Sequence, residues 1–105
     1  MAQFTAYENP NRATRTAYPF LLDIQPDLLD QLRTTLVIPL SPVSLAGDAA
    51  IARLCPRVDI DGQGYVVMTP QMAGIDRKHL GGAVGDLSHY RVEVIGAVDF
   101  MVSGI

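Results

Sequence analysis

Residues 86–105 read D-L-S-H-Y-R-V-E-V-I-G-A-V-D-F-M-V-S-G-I. Leu87, Tyr90, Val94, Val98 and Met101 recur at spacings of three and four, the period of one helix face. Asp86 or Ser88 can cap its start, because a short side-chain oxygen there accepts an orphan backbone N–H. A second apolar row, Val92, Ile95 and Val102, faces elsewhere and widens the stripe. A helix apolar on more than one side packs on its own domain and on a second body.

The end of this helix is unusual. Cations favour a helix C-terminus, where the last carbonyls carry partial negative charge. Here no Lys or Arg follows Arg91, and Asp99 and the carboxylate of Ile105 add further negative charge. Gly104 suits a left-handed cap. Two readings stay open: a frayed terminus, or an apolar, negatively charged tip held for a partner.

Upstream the pattern changes from helical to alternating. Gln3 to Tyr7 alternates and predicts a short strand, with Phe4 and Ala6 on one side. Glu8 to Thr16 (E-N-P-N-R-A-T-R-T) has the composition of an exposed loop. Tyr18, Phe20, Leu22 and Ile24 alternate again, with Pro19 at the strand start. Gln25 to Gln31 reads as a loop carrying Leu28-Leu29 between Asp27 and Asp30. Such a pair is more often a plug into the core than a contact surface.

Thr34 to Leu40 (T-T-L-V-I-P-L) is nearly continuously apolar and predicts a central strand, interrupted at Pro39. Pro42 and Gly47 break the next stretch, in which Asp48 to Leu54 suits a helical turn or an irregular strand. Arg57–Ile60 and Tyr65–Thr69 flank Asp61-Gly62-Gln63-Gly64, a hairpin signal of Asp-Gly type. Gln71 to Ile75 predicts one more strand, and Asp76 to Gly85 a glycine-rich connection holding Arg77-Lys78. Several short strands followed by one helix suggest a single, mostly β domain over residues 1–105, a small antiparallel barrel carrying a helix.

Composition narrows the function. The chain is 49% hydrophobic and 18% charged with a formal charge of −3, which argues against disorder and against electrostatically driven nucleic-acid binding. The start, Met1-Ala2-Gln3, has no basic and apolar leader, and no run of eighteen apolar residues occurs, so neither export nor a membrane is expected. One cysteine, Cys55, allows no internal disulfide and fits a reducing cytoplasm. Cys55, His79 and His89 would all be needed, with a carboxylate, for a zinc site; no metal or cofactor is expected. Cys55 reads as a buried small hydrophobe and His89, near Asp86, as a structural histidine. Gly81-Gly82-x-x-Gly85 lacks the context and the lysine of a phosphate loop. No catalytic constellation emerges, and the residues alone stop at a binding domain.

Gln3-Phe4, Asp23-Ile24-Gln25-x-Asp27-Leu28-Leu29-Asp30, Val37-Ile38-Pro39-Leu40, Met68-Thr69 with Met72-Ala73, Asp86-Leu87-Ser88-His89 and Gly104-Ile105, in this order and spacing, resemble the CcdB family of toxins. The resemblance implies an SH3-like antiparallel β-barrel with a small extra sheet and a long C-terminal α-helix, assembled as a homodimer. It implies a gyrase poison that binds the DNA gyrase A subunit and traps the cleaved-DNA complex, with no catalysis of its own. It further implies neutralisation by a cognate antitoxin with a disordered C-terminal tail, so that DNA is met only through antitoxin or gyrase. By position, the gyrase-binding residues would be Leu28, Leu29, Asp99, Val102, Ser103, Gly104 and Ile105.

Two departures accompany it. The best-known members carry an aromatic residue before the final Gly-Ile, stacked on a gyrase arginine; here that residue is Ser103, and the chain has no tryptophan. Such stacking contributes about 0.5–2 kcal/mol. Tyr65 stands where those members have a tryptophan in a strand, a position that reads as core packing. The alternatives are an endoribonuclease toxin of the same fold, disfavoured by the acidic balance, and a non-toxic antitoxin-binding relative.

Overall fold

The computed structural model describes residues 3–46 and 53–104. Among the described residues, seven strands make one antiparallel sheet: β1 (Thr5–Glu8), β2 (Phe20–Asp23), β3 (Thr34–Pro42), β4 (Arg57–Ile60), β5 (Gln63–Val67), β6 (Ala73–Asp76) and β7 (Ala83–Asp86). Their order is β4-β5-β3-β2-β1-β7, with β6 also paired to β3. A short helix α1 (Val43–Ala46) follows β3, and the long helix α2 (Arg91–Ser103) ends the fold. This is a curled, SH3-like half-barrel with one C-terminal helix.

The nine-residue β3 organises the sheet. One edge pairs with β2; the other pairs first with β6, over residues 34–37, and then with β5, over residues 40–42. Pro39 therefore does not interrupt the strand. It falls in the gap where the partner changes, its carbonyl accepts from the Met68 amide at 3.0 Å, and the N–H it lacks has no ladder position to fill. The extra strand β6 and the barrel thus share one backbone.

The hairpin β4–β5 has the expected Asp-Gly turn, closed between Ile60 and Gln63. Asp61 and Gly62 both have positive φ, 52° and 81°, which makes it the type I′ turn that matches strand twist. Alternate residues of the strands then face one core: Phe4, Ala6, Leu22, Ile38, Leu40, Val58 and Val67 surround Leu87 and Val94. Tyr65 is buried as read from its position, edge-on to Phe20 with ring centroids 5.2 Å apart.

Some boundaries differ from the sequence reading. β1 begins after Phe4, which takes a left-handed φ of 65°. Its amide donates to Asp23 O and its carbonyl accepts from the Leu87 amide, both at 2.7 Å. Strain on the order of 1–3 kcal/mol at such a bulky residue is offset by those bonds and by a buried ring. The loop after β1 is exposed apart from Asn9, whose side-chain amide donates to Thr14 Oγ1 and Tyr18 O. The connection read over residues 76–85 contains β7, paired antiparallel to β1 with an irregularity between Ala6 and Tyr7. Asp86 ends that strand and does not begin the helix. Its carboxylate accepts from the Ser88 amide at 2.9 Å, starting a 3-10 turn over Ser88–Tyr90 that leads into α2. Most of the region read as Asp48–Leu54 lies outside the described residues.

α2 buries Val94 and Ala97, with Tyr90, Ile95 and Val98 half-buried. Met101, placed by its spacing on the core row, is exposed, and small Ala97 takes the core position instead. Val92 and Val102 of the second row face solvent, 79% and 78% exposed.

Candidate functional site

The Asp27–Leu29 segment forms a 3-10 turn with no buried residue. Leu28 is 91% exposed, and Leu29 and Leu32 are 41% and 49% exposed. The pair is a display and not a plug. Since no side chain anchors the turn in the core, polar bonds fix it. The Gln3 amide donates to Asp27 Oδ1 at 2.7 Å on one shoulder. Within the turn, the Leu29, Asp30 and Leu32 amides donate to Pro26, Asp27 and Leu29 carbonyls. On the other shoulder Arg77 reaches in from the 3-10 turn after β6: Nε donates to Leu32 O at 2.7 Å and a terminal nitrogen to Leu29 O at 3.2 Å. The same guanidinium lies 3.8 Å from the Asp30 carboxylate.

The helix end is built by local rules. Gly104 adopts φ 74° and its amide donates to Phe100 O at 2.8 Å, the left-handed termination open to glycine at little cost. Ser103 Oγ donates to Asp99 O at 2.7 Å, so this side chain folds back on the last turn. Asp99, Val102, Ser103 and Gly104 are all exposed; Ile105 lies outside the described residues. Near this end the Arg53 guanidinium lies over the Phe100 ring, 4.7 Å from its centroid.

The structure does not bring the two groups of candidate residues together within the chain. The leucine turn is tied through Gln3 to the start of α2, where Arg91 donates to Gln3 Oε1 at 3.3 Å. From Arg91 to Ser103 a helix rises about 18 Å at ~1.5 Å per residue, so the tip sits at the far end.

Three other groups bear on chemistry. Cys55 is buried, and burial pushes its thiol pKa up despite a bond from the Thr69 backbone, the opposite of an activated nucleophile. His89 is exposed and tilted against Tyr90, with ring centroids 4.2 Å apart. His79 borders a cavity of about 580 Å³ with Asn9, Tyr18, Leu21, Pro39 and Ile75. Among the described residues, no three His, Cys, Asp or Glu cluster to hold a metal ion, and no helix is long and apolar enough to cross a membrane.

Arg77 and Leu32 escaped the sequence reading. Leu32 had a signal, four residues after Leu28, but it lies one residue past the loop as bounded from the sequence. Arg77 had none, because its partners lie 45 and 48 positions away.

A family model described as CcdB protein matches residues 3–104. The match spans every strand, the leucine turn and α2 through its glycine cap, and this chain accordingly belongs to the CcdB family, toxins of toxin–antitoxin modules.

Proposed function

We propose that this toxin acts by binding the A subunit of DNA gyrase and trapping the enzyme on cleaved DNA, which blocks replication without any catalysis by the toxin. The contact residues are Leu28 and Leu29 in the turn and Asp99, Val102, Ser103, Gly104 and Ile105 at the helix end. The observation that carries this function is the outward display of Leu28 and Val102, 91% and 78% exposed, on hydrogen-bonded backbone. A backbone fixed in advance spares the ordering cost of the loop, so only the side chains lose freedom on binding. Asp99 sets negative charge beside the apolar tip, so a positive patch on the partner would aid encounter and register.

A homodimer through the outer face of α2, at Val92, Ile95 and Val102, would cover an apolar row that the monomer exposes. A cognate antitoxin would neutralise the toxin in the cytoplasm by folding its disordered tail over a wide surface. The cavity between the 9–18 loop and β2–β3 suits an anchoring side chain, having apolar Leu21, Pro39 and Ile75 within a rim of Asn9 and His79. DNA is met only through antitoxin or gyrase.

The test is gyrase-mediated DNA cleavage with the intact protein, a truncation lacking residues 103–105, and Ser103→Trp. The truncation should stay folded, because Ser103 and Gly104 are exposed, and should no longer poison, because a few residues dominate such a contact. Ser103→Trp poisons more strongly by offering an arginine a stacking face. Undiminished cleavage by a folded truncation rules out the tip.

A further inference from the structure

We infer that Arg77 is a positioning residue for partner binding: it holds the turn at residues 27–32 as a preformed three-leucine knob, in which Leu32 is a contact residue beside Leu28 and Leu29. The inference rests on the gyrase reading above and adds to it a clamp and a third leucine.

The geometry is specific. Two nitrogens of one guanidinium bind two carbonyls of the turn, Leu32 O at 2.7 Å and Leu29 O at 3.2 Å, with the Asp30 carboxylate at 3.8 Å. The Arg77 amide also donates to Arg33 O at 2.9 Å, extending the β3–β6 ladder by one step to the base of the loop. The arginine side chain is only 16% exposed. Bonds from a charged fork to backbone carbonyls are stronger than neutral ones and hold direction as well as distance.

What the clamp holds is informative. The turn contributes no buried side chain, so fixing it adds nothing to the hydrophobic core. An exposed connection of polar residues would serve the fold equally well. Instead it carries three solvent-facing leucines, flanked by Asp27 and Asp30. Leu28 and Leu32 are four apart, and the turn keeps both on its outer side. Immobilising such a surface before encounter lowers the ordering cost of binding. The flanking carboxylates suit an apolar depression with a basic rim, the same charge preference that Asp99 gives the helix tip.

The test compares wild type, Arg77→Met, Arg77→Lys and Leu32→Ala as intact proteins. Amide exchange of residues 29–32, thermal midpoint and affinity for purified gyrase are measured. Arg77→Met should speed exchange at Leu29, Asp30 and Leu32 about tenfold, weaken gyrase binding about tenfold, and leave the midpoint near wild type. Arg77→Lys, which keeps the charge but not the fork, should recover part of both losses. Leu32→Ala should weaken binding severalfold with exchange unchanged. Wild-type affinity in Arg77→Met or in Leu32→Ala overturns the inference while leaving the gyrase reading intact. Unchanged exchange in Arg77→Met overturns the clamp. A wild-type protein that does not bind gyrase overturns the partner, and this inference with it.

Discussion

Asp76 and Asp86 do similar work at two places where a strand gives way to a 3-10 turn. Hydrogen bonding from the Lys78 amide holds the Asp76 carboxyl below its ordinary pKa, helped by the charges of Lys78, Arg33 and His79. The Ser88 amide, then the Ser88 hydroxyl and the charge of His89, do the same for Asp86. A carboxyl whose folded pKa is depressed adds stability above its unfolded value, about 3.9 for Asp, and loses it as pH falls through the folded value. Asp76→Asn combined with Asp86→Asn should therefore flatten the decline of thermal midpoint between about pH 5 and pH 2. An acid limb as steep as that of wild type would show that other carboxylates govern it. The sequence reading placed Asp86 as a cap of the long helix; its carboxylate instead accepts from the Ser88 amide ahead of the 3-10 turn, and the helix begins later. Asp76 makes the same local bond, to the Lys78 amide; only its lesser pairing with Arg33 across the β3–β6 ladder, 3.5 Å away, is announced by no local pattern.

Among the elements, α2 has one end that its residues dictate and one that they do not. Gly104 could be read as the stop because it tolerates the left-handed φ that closes the last turn. Gly104→Ala places a Cβ in that conformation at a cost of about 1 kcal/mol. The amide of residue 104 should then exchange roughly fivefold faster, with the global thermal midpoint unchanged because, among the described residues, nothing lies within 4 Å of a Cβ there. A marked fall in the midpoint would mean that the cap supports the core. The helix start was hidden for a physical reason. Leu87 is buried on the same face as Val94, so apolar spacing continues through the 3-10 turn and cannot mark where the α-helical bonds begin. β7 was hidden too: Ala83-Val84-Gly85-Asp86 has little strand character, and pairing with β1 creates the strand. The leucine turn lay between these extremes, its residues legible and its outward orientation decided by Gln3 and Arg77 from elsewhere in the chain.

For the whole molecule, the outer face of α2 is the feature least suited to a monomer. Val92 and Val102 are exposed beside half-buried Ile95, and Gly96 between them leaves open space where a Cβ would stand. Sedimentation at micromolar concentration should give a dimer mass, and Val92→Lys should give a monomer that keeps wild-type circular dichroism. A wild-type monomer mass would rule the dimer out, and a dimer mass for Val92→Lys would place the interface elsewhere. The mostly β architecture was legible because alternation and the Asp-Gly turn are local; the branching of β3 between β5 and β6 was not, because both pairings are long-range. The pairing of β1 with β7 has a consequence for how the protein comes into being. Residues 5 and 86 sit opposite each other in the finished sheet, so during synthesis the first strand waits for the seventh with its outer backbone groups unpaired. High contact order of this kind slows folding, and an unpaired edge invites pairing with another chain meanwhile. A nascent toxin is therefore vulnerable until the segment that leads into its helix has emerged from the ribosome, and closure of the sheet sets the moment at which it becomes a stable molecule.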